Sequence, residues 1–154
     1  MIYSRMKSGL YAVRLEDGDD IMASLRRFVE AQDLQAGLVE GIGSLKRVRL
    51  GYYDFEKTRK YTWKVFEEDM EILALTGNVS VKDDGTYLPH VHVSLGRKDF
   101  TVLGGHLDDG SIANMVEIFI RQLPGRLTKR HDATVGLNVL ELDSKLPTDP
   151  KLTD

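Results

Sequence analysis

Residues Leu88–Leu107 read LPHVHVSLGRKDFTVLGGHL. His90 and His92 stand two residues apart, with Val91 and Val93 interleaved. In an extended strand successive side chains point to opposite faces. Both imidazoles therefore share one face, while the valines turn the other way into a core. Gly96–Asp99 interrupts the apolar pattern and Phe100–Leu103 resumes it, as in a hairpin. His106 follows the pair Gly104-Gly105, and glycines let a backbone turn sharply or approach another segment closely. The hairpin would put His106 near the far end of the partner strand. Spacing alone does not force it to meet the other two histidines.

Outward from this stretch the strand pattern continues. Leu10–Leu15 alternates, with Tyr11, Val13 and Leu15 on one face. Gly37–Ile42, Val48–Tyr53 and Tyr61–Phe66 are short segments with β-branched and aromatic content, separated mostly by turn residues. Glu71–Val81 and Pro89–Leu95 follow, with the turn signal Asp83-Asp84-Gly85 between them. Ile112–Leu123 fits either period, and its β-branched residues favour a strand. Gly136–Leu142 reads as the last strand. One helix stands out: Asp17-Gly18-Asp19 supplies a turn and an N-cap, and Ile21, Leu25, Phe28 and Val29 line one face as far as about Gln32. One principal helix near the N-terminus and about eight strands amount to an α+β domain with a mainly antiparallel sheet. It is expected over residues 1–143. Residues 144–154, rich in proline, aspartate and lysine, are expected to form a flexible tail.

The chain has 154 residues, 42% hydrophobic and 29% charged, which suits one globular domain. Its net charge of -3 gives no bulk attraction to nucleic-acid phosphates or anionic lipid. No cysteine is present, so disulfides, thiolate zinc sites and thiol catalysis are excluded in this chain. Met1–Gly9 lacks the apolar core of a signal peptide, and no run approaches the ~20 apolar residues of a membrane helix. A cytoplasmic protein without a membrane partner is the expectation.

Neutral imidazoles are good ligands for zinc, copper, nickel and ferrous iron. A set of His90, His92 and His106 would leave a coordination position open, as catalytic zinc sites do. The competing reading is three half-buried polar side chains held by the backbone, since His-x-His alone is a weak motif. His131 stands in a charged, loop-like context and reads as surface.

The same residues carry a resemblance to a family. Glu71–Asn78 (EILALTGN), Pro89–Gly96 (PHVHVSLG) and Val102–Leu107 (VLGGHL) resemble the PPC, or plants and prokaryotes conserved, domain. Glu40–Ser44 (EGIGS) and Val116–Ile118 (VEI) match it as well, in order, so the similarity spans about Ser8–Leu142. The resemblance implies an α+β fold, a homotrimer, and clustering of His90, His92 and His106 around a divalent metal, usually zinc. It permits a site at a subunit boundary. It also brings a DNA-binding label, because plant members carry an AT-hook with an Arg-Gly-Arg-Pro element. This chain has no such element; Pro124-Gly125-Arg126 is a fragment in a different order.

Within the matching segments, Glu71 and Glu117 are single carboxylates in apolar strands. Each could orient a ligating histidine or act as a base, or simply face solvent. Asn78 could line the same site or serve a turn after Gly77. Ser94 shares the histidine face but sits in no nucleophile elbow, so it reads as a strand serine. Lys46, Arg47 and Arg49 lie near Tyr52 and Tyr53, yet alternation divides Lys46 and Arg47 between two faces, as on a solvated strand. Gly41-x-Gly43 is too short for a phosphate loop. Three functions follow: a trimeric metal site with an open position for a small polar or anionic ligand, a DNA-binding, transcription-associated protein, or an interaction module in which trimerisation is the point and the histidines are structural.

Overall fold

The computed structural model describes residues 1–143; the expected tail, residues 144–154, lies outside them. Alternating apolar residues form strands where that pattern is strongest. The order is β1 (Ile2–Arg5), a 3-10 turn (Lys7–Gly9), β2 (Leu10–Leu15), α1 (Ile21–Ala31), β3 (Gly37–Tyr53), β4 (Tyr61–Phe66) and β5 (Met70–Lys82). There follow β6 (Tyr87–Gly96), β7 (Val102–Leu107), β8 (Ile112–Gln122), β9 (Thr128–Asp132) and β10 (Leu137–Leu140). The expected α+β domain thus resolves into a largely β fold, with one α-helix among the described residues. Two strands lie where none was expected, β1 and β9. Both are short and lack an apolar alternation that a sequence would display.

The strands make one sheet in the order β1-β2-β8-β3-β7-β6-β5-β9-β10, with β4 on β3 and a further β3–β5 pairing. Pairing is antiparallel except where β5 meets β9, with Lys82 opposite Lys129. β3 organises the fold. Gly37–Leu45 pairs with β5 on one edge and β8 on the other, while Val48–Tyr53 pairs with β4 and, through Leu50 and Gly51, with β7. The ring β3–β5–β6–β7 therefore closes on itself. The two segments expected as separate strands are one strand of 17 residues. Its turn-like glycines mark a bulge instead of a break, with the register shifting between Gly41 and Gly43. Gly43 has φ +144°, and a Cβ there would stand 2.2 Å from the Met115 carbonyl oxygen, so the bend requires glycine.

The helix begins one residue later than the sequence suggests. Asp20 Oδ1 accepts from the Ala23 N–H at 2.9 Å, whereas Asp19 Oδ2 accepts from the Glu16 N–H and pairs with the Met1 ammonium. Starting at Ile21 puts Ile21, Leu25, Phe28 and Val29 on the buried stripe. Phe28 is 2% exposed and packs edge-on against Tyr11, with ring centroids 5.4 Å apart. Asp20 Oδ2 also accepts from the Gly110 N–H, and Ile21 N–H donates to the Ser111 carbonyl. The helix start is thereby tied to the loop that follows β7, beside the histidine site.

Candidate metal centre

The β6–β7 hairpin turns so that His92 faces His106 across the pair. In the β5–β6 pair His90 faces Asn78 and His92 faces Thr76. Directly opposed residues share a face, so the three histidines meet on one side of the sheet. The Nε2 atoms of His90 and His92 lie 3.2 Å apart, and one ligand nitrogen from each of the three histidines falls within 4.8 Å of the others. Two nitrogens on a tetrahedral zinc at ~2.05 Å would be about 3.4 Å apart, so the His90–His92 spacing fits such an ion. His106 Nδ1 is buried without a hydrogen-bond partner, an orphaned atom of the kind that a bound ion satisfies. No cysteine or carboxylate joins the cluster among the described residues.

Local packing explains how three rings come so close. A Cβ at Gly104 would stand 2.3 Å from the Val93 carbonyl oxygen, so β6 and β7 approach only because that position is glycine. Gly51 lies opposite both His106 and Trp63. A side chain there would strike the Trp63 ring at 2.6 Å and the Tyr61 ring at 2.9 Å. Without one, Tyr61 and Trp63 stack over the strand and wall His106, with Tyr61 5.1 Å from its ring centre. Arg49 lies 4.5 Å over the Trp63 ring and pairs with Asp108 at 2.6 Å.

Electrostatics favour neutral imidazoles at His90 and His106. Burial, then the neighbouring Lys129 charge and the other two histidines, push the pKa of His90 down to about 4. Burial and the His92 charge lower that of His106, against a weaker opposing pull from Asp108. A neutral ring keeps a lone pair to offer a metal. His90 Nδ1 meets Lys129 Nζ at 3.2 Å, and Lys129 is only 5% exposed. Burial lowers its pKa too. Sequence reasoning misses this lysine: Thr128–Asp132 (TKRHD) is polar throughout, and only the parallel pairing of β9 with β5 turns Lys129 inward. His90, His106 and Lys129 line a cavity of about 240 Å³ together with Tyr61 and Asp108. His92 opens onto a neighbouring shallow depression with Ala74, Thr76, Ser94 and Gly104.

The remaining candidates divide. Asn78 is at the site, beside His90, and its Oδ1 is buried without a partner. Glu71 is not: it is exposed at the start of β5, opposite Gly96, five residues or roughly 16 Å along the strand from Thr76. Glu117 is exposed on β8 between Arg14 and Ile42, and β3, which lies between β8 and β7, meets His106 only at Gly51, nine residues further along. Both carboxylates alternate outward, and no register brings them to an imidazole. Ser94 is exposed, facing Gly104 and Ala74. The small basic cluster is neutralised: Lys46 pairs with Asp17, Arg47 with Glu67 and Arg49 with Asp108. His131 lies exposed on β9, a strand where a loop was expected.

Comparison with known proteins bears on this geometry. The family model of the Plants and Prokaryotes Conserved (PCC) domain matches residues 4–124. The structure resembles that of a candidate DNA-binding protein from Bacteroides thetaiotaomicron, at TM-score 0.85 and 28% identity, covering 91% of this chain and 96% of that one. It also resembles a metal-containing protein from Archaeoglobus fulgidus, at TM-score 0.81 and 31% identity, over 92% and 99% of the two chains. Among curated proteins, the chain is 32% identical over 151 residues to the bifunctional protein GlmU of Synechococcus sp. (strain JA-3-3Ab). That alignment takes in 94% of this chain but 23% of the relative's length.

Proposed function

The chain belongs to the Plants and Prokaryotes Conserved (PCC) domain family, and from that membership and the triad we propose a trimeric zinc-binding module whose site is open to a small polar or anionic ligand. The observation that carries the reading is the set His90, His92 and His106, with nitrogens within 4.8 Å and no fourth protein ligand among the described residues. The likeness to the metal-containing Archaeoglobus protein supports it. A divalent metal in such a set supplies a Lewis acid, suited to hydrolysis or hydration. The chain's own part is positioning. Tyr61 and Trp63 fix the His106 ring, Lys129 abuts His90, and the buried Asn78 Oδ1 offers an acceptor for a ligand donor.

Trimerisation has its own support. Leu38, Ile42, Leu73 and Phe119 are 45–56% exposed. They lie along adjoining depressions on one face of the sheet. These run into the His92 depression through Ala74 and Thr76. A contiguous apolar patch of this kind marks an interface, and a second copy covering it would abut the metal centre. Elemental analysis of untagged protein is expected to find about one zinc per chain, lost in His92→Ala. Sedimentation is expected to give three times the 17.4 kDa chain mass. Metal at background in the wild type would refute the reading.

DNA binding is the second reading, favoured by the role attached to the Bacteroides relative. Against it stand the net charge of -3 and the ion-paired state of Lys46, Arg47 and Arg49. Salt-sensitive duplex binding at micromolar protein would establish it.

A further inference from the structure

Lys129 is an unusual occupant of the cavity beside the triad. It is 5% exposed, and its one polar neighbour within hydrogen-bond reach among the described residues is His90 Nδ1, which carries the ring proton when Nε2 holds a metal and then cannot accept from an ammonium. The other charges on the cavity wall are already compensated. Asp108 pairs with Arg49, and Arg26 pairs with Asp109. The rest of the wall is largely apolar, built by Met22, Leu88, Pro89, Leu107 and Leu137. Burial favours the neutral amine of Lys129, and an ammonium beside a dication persists there only where an anion accompanies it. The chain provides no unpaired one on this wall among the described residues, since Asp108 is taken by Arg49, so the anion would come from outside.

The wall also narrows which anion fits. Phosphate is gripped by several converging donors, such as arginine forks or nests of backbone N–H groups. Here the wall offers one uncompensated cation. A carboxylate needs fewer donors, and an aliphatic chain attached to it would be buried on the five apolar side chains. With ~30 Å³ per water molecule in the liquid, the cavity holds roughly eight waters' volume, room for a carboxylic acid of about four to six carbons. Resting on the metal-site reading above, we infer that Lys129 anchors a short-chain carboxylate in this cavity, between its Nζ and the metal held by the three histidines.

The test is calorimetric titration of full-length, zinc-loaded protein with butyrate, hexanoate, butyramide and inorganic phosphate, with zinc content measured on every sample. The carboxylates are expected to bind and to raise the Tm. Butyramide, of the same shape without the charge, and phosphate are expected to bind at least roughly tenfold more weakly, the worth of one hydrogen bond to a charged group. Lys129→Met is expected to keep its zinc and lose the preference for butyrate over butyramide. The inference is overturned if zinc-loaded wild type binds butyrate no better than butyramide, if phosphate binds more tightly, or if Lys129→Met retains the preference. The amide comparison needs no variant, so the test stands even if Lys129→Met misfolds. Protein that takes up no zinc overturns the underlying reading, and the inference with it; protein that takes up zinc but no carboxylate overturns the inference alone.

Discussion

Replacing Gly104 by alanine touches no ligand, yet it is expected to weaken metal binding. The new Cβ would lie 2.3 Å from the Val93 carbonyl oxygen, where side-chain carbons essentially never come closer than 3.0 Å. The atom it meets is backbone in the paired strand, so no side chain can swing aside. β6 and β7 must separate by about 0.7 Å, the difference between those two distances, or the hairpin must shear. His106 lies two residues along from Gly104, opposite His92, and moves with it. Metal–ligand distances tolerate only about 0.2 Å, so the triad must re-form under strain. Zinc affinity is expected to fall by about 10–100-fold, as when supporting residues of metal sites are lost. Overpacking is expected to cost about 1–3 kcal/mol of stability. Chelator competition measures the first and urea unfolding the second. Gly96→Ala is the control, because its Cβ meets only the flexible Leu73 side chain, at 3.2 Å. If Gly104→Ala binds zinc as tightly as Gly96→Ala, the proposed dependence of the site on close strand approach is wrong.

Three further outcomes are expected. In metal-free protein the pKa of His90, about 4 in the folded state against ~6.5 unfolded, means that the unfolded chain takes up its proton first as pH falls. Stability is then fully present above pH ~6.5 and declines toward pH ~4, by about 3 kcal/mol at most; urea midpoints in that range should drop, and drop less in His90→Asn. Phe28→Ala, which empties a 2%-exposed position against Tyr11, is expected to cost about 3–5 kcal/mol in chemical denaturation. Phe119→Lys puts a charge into the exposed apolar patch and is expected to dissociate the assembly in sedimentation without lowering monomer stability by more than about 0.5 kcal/mol; an intact trimer would move the interface elsewhere.

The sequence by itself determined what depends on local period. Leu10–Leu15 and Tyr61–Phe66 alternate strictly enough to be bounded to the residue. The 3.6-residue stripe from Ile21 to Val29 marks the helix, and the two-residue period puts His90 and His92 on one face. The family pattern added His106. Tertiary structure decided whatever depends on register between distant segments. His106 faces His92 because the hairpin turn sets that pairing, and Glu71 and Glu117 stay away from the site because one lies at the far end of β5 and the other on β8. β3 passes its glycines as one bulged strand because β5 holds it on one side and β8 on the other. Lys129 is the sharpest case. Nothing distinguishes it from Arg130 in a polar run, yet the pairing of β9 with β5 buries one beside His90 and leaves the other in solvent. A chain's period states which side chains share a face, whereas the closure of the sheet states which faces meet.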